Sequence, residues 1–168
     1  DYLDVMSGIL LTNQLFFGDP FKRAPIFRKE RKVYFTDPFL YSALRGFTEG
    51  VYNDYSRECT ASLIEGVVCE ALARAIRDEA LDFSNGLWYY FSKYETDFVV
   101  KVADHVVGIE VKWQDKVTPY DFKNKRSFKY RIILSKDTFV PEKTMIIPVA
   151  FFLAAFSEKK SFIETPYS

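Results

Sequence analysis

Apolar and polar positions alternate with period two along residues 97–102 and again along 107–113. Phe98, Val100 and Val102 fall on one side of the first run, with Asp97, Val99 and Lys101 on the other. In the second run Ile109, Val111 and Trp113 oppose Glu110 and Lys112. Such alternation marks β-strands with two distinct faces. A two-residue turn at Ala103-Asp104 makes the runs a hairpin. That turn pairs Val102 with His105, and therefore Asp97 with Glu110 and Glu95 with Lys112. Between about Thr60 and Ala80 the period changes. Ile64, Val67, Val68, Ala71, Leu72, Ala75 and Ile76 recur in steps of three and four, which predicts an amphipathic helix. Glu65 lies about 70° from the centre of that apolar stripe, at the edge where helix meets sheet.

The remaining segments read as short elements. Residues 1–8 end a helix at Gly8, and 9–17 form a strand. After an irregular connection through Gly18, Asp19, Pro20 and Pro25, residues 32–36 return as a second strand. Asp37-Pro38 is a helix start, with Asp as N-cap and Pro in the first turn. That helix is predicted to stop at Gly46, leaving 46–56 as a linker. Residues 87–91, LWYYF, form an aromatic strand after a turn at 84–86. A short helix is expected near 119–125, strands at 128–134 and 145–147, and a final apolar helix from Val149 to Phe156.

Composition adds limits. The 168 residues are 48% hydrophobic and 18% aromatic, too apolar for a disordered chain and enough for one domain with a core. Lys and Arg number 23, as do Asp and Glu, so no global field draws in a polyanion. Basic residues nevertheless gather in two places. One group is Lys22, Arg23, Arg28, Lys29, Arg31 and Lys32; the other, within 116–136, includes Lys123, Lys125 and Arg126. Both read either as phosphate contacts or as ordinary solvated surface. Cys59 and Cys69 are about 15 Å apart along a helix, too far for a disulfide, and free thiols fit a cytoplasmic location. No apolar run is long enough for a membrane span. No phosphate-binding glycine loop is present, so no nucleotide site is expected. With a single histidine and two cysteines, neither an imidazole-based triad nor a zinc cage is expected.

The hairpin register carries the chemistry. Opposed carboxylates lie about 4.5–5.5 Å apart at Cβ and repel. A hard divalent cation, Mg²⁺ or Mn²⁺, relieves that repulsion through oxygen ligands, and Lys112 reaches the same region. These are the parts of a phosphodiester-hydrolysing site. They are also the parts of an ordinary polar strand face.

The order of elements resembles the restriction-endonuclease-like PD-(D/E)xK superfamily, whose mixed central sheet is flanked by helices. More closely, VYFTDPFLYSAL, SLIEGVVCEAL, WYYFSKYETDFVV and GIEVKW are similar to the C-terminal domain of unknown function in archaeal AAA-type ATPases. These pieces run from about residue 32 to 113, with looser similarity to 156. The resemblance implies an α/β domain over 37–168. It makes 1–36 the end of a winged-helix region, a helix and wing hairpin. Asp97 and Glu110 match the metal-ligand carboxylates, Lys112 the lysine that orients the attacking water, and Glu65 the helix acid. Thr96 stands where the motif has proline, and Gly66 where relatives often have Asn. The expected function is Mg²⁺-dependent cleavage of DNA, with an ATPase module on the N-terminal side. The alternative is a catalytically inactive module that binds DNA or a partner protein for that ATPase.

Overall fold

The computed structural model describes residues 1–50, 56–78 and 86–162. Its elements in chain order are α1 (Tyr2–Gly8), β1 (Thr12–Asp19), β2 (Ala24–Pro25), β3 (Arg31–Phe35), α2 (Pro38–Glu49), α3 (Arg57–Asp78) and β4 (Leu87–Phe91). After them come β5 (Glu95–Val102), β6 (His105–Lys112), a 3-10 turn (Pro119–Asp121), β7 (Tyr130–Ser135), β8 (Thr144–Pro148) and α4 (Val149–Phe162). The eight strands among the described residues share one sheet, β2-β1-β4-β5-β6-β7-β8, with β3 also pairing β1. Pairing is parallel at β1–β4, β6–β7 and β7–β8, and antiparallel elsewhere. A mixed sheet with packed helices agrees with the expected α/β class. One sheet runs across the expected domain boundary at residue 36, because β1 and β3 are strands of the same sheet as β4–β8.

Period-two alternation gives the sheet two cores. Leu87, Phe98, Ile109 and Leu134 join Val68, Cys69 and Leu72 of α3 and Val149 and Phe152 of α4. Trp88, Val99 and Ile133 point the other way, onto Val117, Phe122 and Phe128 of the loop after β6. Helices α3 and α4 therefore cover one face and an irregular loop covers the other. The loop approaches so closely at β6 that a Cβ on Gly108 would stand 2.8 Å from Phe122 Cζ and Phe128 Cγ. Arg131 is buried and structural, bonded to Thr144 Oγ1 at 2.9 Å and to the Phe128 carbonyl at 2.9 Å.

Several boundaries differ from expectation. Helix α1 ends at Gly8 as expected, with Ile9 as its cap, but the strand expected from residue 9 begins only at Thr12 and runs to Asp19, since Leu10 takes a φ of 60°. Helix α2 starts as expected, with Asp37 accepting from the Phe39 N–H at 2.8 Å. It does not stop at Gly46, which is buried inside it, and ends instead at Gly50, whose φ of 66° is the left-handed cap conformation. The segment expected as a helix at 119–125 is a single 3-10 turn held by Thr118 and Asp121. Residues 79–80 of the expected long helix and 84–85 of the expected turn lie outside the described residues.

Candidate functional site

The hairpin has the register that the sequence predicts. Val102 pairs with His105 and Phe98 with Ile109, and Ala103 adopts φ 49° at the turn. The next step places Asp97 against Glu110, but backbone pairing stops before it. The cause is on the other edge of β5. Trp88 pairs with Val99 and Tyr90 with Thr96, so Tyr89 alone faces both Asp97 and Phe98. This is a β-bulge, which inserts a residue and re-aims the side chains around it. Thr96 and Val99 consequently share the loop side of the sheet: Thr96 Oγ1 accepts from Asn124 at 2.9 Å, and Val99 packs with Phe122. Asp97 turns toward the helix side, with Phe98. The expectation that Asp97 shares a face with Val99 and Lys101 is corrected by this bulge.

Freed from the ladder, the Asp97 carboxylate lies in the gap between β5 and β6. Its Oδ2 accepts from the Val111 N–H at 2.8 Å, substituting for a missing backbone carbonyl. Its Oδ1 is 3.9 Å from the Lys32 ammonium of β3. That ammonium is also 2.6 Å from Glu95 and 4.0 Å from Glu65. Glu95, expected opposite Lys112, is instead a partner of Lys32, because the bulge rotates the start of β5. Lys112 pairs with Glu110 at 3.0 Å. Alternation from Gly108 puts Glu110 and Lys112 toward the loop side, where the Lys123 amide and Asp121 influence them. Asp97 thus stands between two groups, Lys32–Glu65–Glu95 and Glu110–Lys112.

Glu65 is not at the margin of its helix. The residues of α3 buried against the sheet are Val68, Cys69, Leu72, Ala73 and Ile76. Glu65, Cys69, Leu72 and Ile76 form one row at steps of four, three and four, so the carboxylate sits in line with the apolar face. The sequence stripe omitted Cys69 and Ala73. Cysteine behaves as a small buried hydrophobe, and including both rotates the stripe toward Glu65. Tyr34 of β3 donates to Glu65 Oε2 at 3.1 Å.

Burial dominates the electrostatics. It pushes Glu65 up to about 7, the Asp97 charge adding to the effect against the pull of Lys32. Burial also raises Asp97, against the opposing effects of Lys32 and the Val111 N–H, and raises Glu110 against Lys112. For Lys112 burial acts downward, but attraction to Glu110 and Asp97 overrides it and the net shift is upward. Lys32 behaves alike, with Asp97, Glu95 and Glu65 outweighing burial. Four carboxylates share two ammonium groups, which leaves two negative charges when all are ionised. Glu110 is 1% exposed, and its Oε1 has no hydrogen-bond partner among the described residues.

These donors suit a hard cation. They are carboxylate oxygens, one is buried and unused, and the charge deficit equals one divalent ion. Among the described residues, no three of His, Cys, Asp and Glu converge as a ready-made cage. Mg²⁺ usually binds through one or two carboxylates and keeps several waters. Asp97 lies in the gap between β5 and β6, and Glu110, on the loop side of that gap, is near enough for the Asp97 charge to raise it, so an ion lodged in the gap would draw on both.

The basic candidates divide. Arg31 is held by Asp1 at 2.6 Å, Asp4 at 3.0 Å and Gln14 at 2.7 Å. Lys29 lies 3.7 Å above the Phe17 ring. With Arg28, Lys32, Phe91 and Glu95 these residues line a cleft of about 570 Å³. Lys125 stacks on Tyr120 at 4.3 Å, and Lys123 and Arg126 are exposed. Asn124, in their midst, bonds the Tyr94 carbonyl and Ser92. The two basic groups therefore flank the β4–β5 turn, beside the carboxylates. Tyr120 is exposed. Both cysteines are free and buried, and no described helix is long and apolar enough to cross a membrane.

The pattern of a Domain of unknown function (DUF4143) matches residues 61–152, more than half of the chain. The chain belongs to the DUF4143 family. The DUF4143 segment contains Glu65, Asp97, Glu110 and Lys112, whereas Lys32 and Tyr34 come from outside it. No curated protein and no solved structure matches the chain. Sequence reasoning missed Lys32, Tyr34 and Glu95 as members of the cluster. The available signal was local: Lys32 and Tyr34 share one face of a predicted strand.

Proposed function

We propose that the chain is a nuclease-like domain hydrolysing DNA phosphodiester bonds with Mg²⁺ or Mn²⁺. The observation that carries this reading is a carboxylate cluster with more acids than ammonium groups, in which Asp97 and Glu110 are buried and one Glu110 oxygen is unused. Asp97 and Glu110 would hold the cation, and the cation would supply charge neutralisation at the phosphate and a water of lowered pKa. Lys112, kept protonated by its acidic neighbours, donates to the attacking water or a phosphate oxygen. Glu65, near its midpoint at neutral pH, accepts a proton through water. The basic groups beside the β4–β5 turn hold the DNA backbone. The resemblance to ATPase C-terminal domains adds an ATP-hydrolysing module as the partner that delivers DNA.

A second reading is a catalytically inactive module that binds DNA or a partner protein for that ATPase. The position of Lys32 favours it, since an internal ammonium already neutralises part of the cluster. Calorimetric titration with Mn²⁺ separates the two. The nuclease reading expects saturable heat at millimolar metal or below, abolished in Asp97→Asn. Asparagine keeps an oxygen for the Val111 N–H, so the fold survives. It also expects metal-dependent cleavage of plasmid DNA that is lost in Lys112→Ala. Undiminished cleavage in that variant sinks the assignment, and absence of heat favours the module.

A further inference from the structure

We infer that Lys32 is the resident counterion of the carboxylate cluster, and that an incoming divalent cation displaces it into the basic cleft, where it joins Arg28 and Lys29 on a bound phosphate. The inference rests on the metal-binding reading above and adds the exchange that couples metal to substrate.

Three observations lead to it. The Lys32 ammonium touches acids from two elements, Glu95 and Asp97 of β5 and Glu65 of α3, all within 4.0 Å. Its partner Asp97 is one of the two residues that would ligate metal, so ammonium and metal ion compete for one carboxylate. Close like charges in a poorly solvated site repel strongly. Second, there is room to leave. Lys32 lines two cavities at once. One, of about 370 Å³, is shared with Tyr34, Tyr41 and Glu65. The other, of about 570 Å³, is shared with Arg28, Lys29 and Glu95. Because Lys32 lines both, a four-carbon stem with a rotatable head can present its ammonium to either. Third, the direction is set by charge. The larger cleft carries Arg28, Lys29 and Arg31 against Glu30 and Glu95. A polyanion bound there attracts an ammonium that the metal has just released.

Metal and phosphate therefore bind with positive linkage, and Lys32 reports it. The experiment has two arms. In the first, Mn²⁺ is titrated calorimetrically into the wild type and into Lys32→Met. The variant is expected to bind about tenfold tighter or better, the scale of close-charge coupling. In the second, wild-type protein is reductively dimethylated with and without Mn²⁺, and labelling is read by mass spectrometry. Lys32 labelling is expected to rise several-fold on metal binding while exposed Lys101 stays constant. This arm needs no variant, so a folding defect in Lys32→Met leaves the test intact. Binding by the variant alone means that the metal cannot displace Lys32, which overturns the exchange and leaves the metal site standing. Mn²⁺ binding to the wild type with Lys32 labelling unchanged overturns the inference and leaves the metal site standing. No binding to either protein overturns both.

Discussion

Glu65 shows at the scale of one residue how the fold raises the free energy of its own site. Its carboxyl is pushed up to about 7 from an ordinary 4.5, first by burial and then by Asp97. A group whose folded pKa lies above its unfolded one binds protons preferentially in the folded state. Its contribution to stability is complete below about pH 4.5 and is lost as pH rises through 7. Above that it is a net cost, which Tyr34 and Lys32 only partly offset. Glu65→Gln keeps an oxygen for the Tyr34 hydroxyl and removes the charge. In metal-free buffer the variant is expected to exceed the wild type at pH 8 by about 3 kcal/mol, given about 1.4 kcal/mol per pKa unit between 4.5 and about 7. The gap should close toward pH 4.5. Urea unfolding at both pH values measures it, and a gap independent of pH would mean that burial of charge is not the cause. The same excess of negative charge is what a cation would relieve.

At the scale of elements, two glycines test the packing that presents the site. Gly66 lies in α3 one residue after Glu65, and a Cβ there would meet only the Phe35 carbonyl, at 3.9 Å. Gly66→Ala is therefore expected to stabilise by about 0.5–1 kcal/mol through helix propensity alone. Gly108 has no such space, and Gly108→Ala drives a methyl into Phe122 and Phe128 at a cost of about 1–3 kcal/mol. Thermal melts of the pair should move in opposite directions; a shared direction would mean that the loop over β6 yields. These elements also mark where the sequence stopped being readable. Alternation and a two-residue gap suffice for the hairpin register, because both are properties of adjacent residues. The bulge at Asp97 is different in kind. It exists only because Tyr89 on another strand faces two residues, and no pattern within 95–102 records that. The approach of Lys32 to Glu95 spans 63 positions and depends on the whole sheet order. The helix acid was visible as a candidate, but its depth was misjudged, since the stripe was drawn without Cys69.

For the molecule as a whole, equal numbers of acidic and basic residues remove any long-range attraction for a polyanion. Binding must then come from cations close to the phosphates, and its salt dependence counts them. Lys123, Lys125 and Arg126 are suited to this count. None of their side chains holds the core, and they sit beside the turn that leads into β5. Arg131, nearby in sequence, is excluded because its guanidinium is buried in hydrogen bonds. Replacing Lys123, Lys125 and Arg126 together by alanine should leave the unfolding midpoint unchanged. It should also flatten the plot of log affinity against log salt by roughly 0.7–0.9 for each cation that met a phosphate. Fluorescence anisotropy with a labelled oligonucleotide in EDTA measures the slope without cleavage. A loss near 2 to 3 on that scale means that DNA lies across the β4–β5 turn and over the carboxylates. An unchanged slope means that this face is merely solvated, and that any polyanion is held by the Arg28–Lys29 cleft alone.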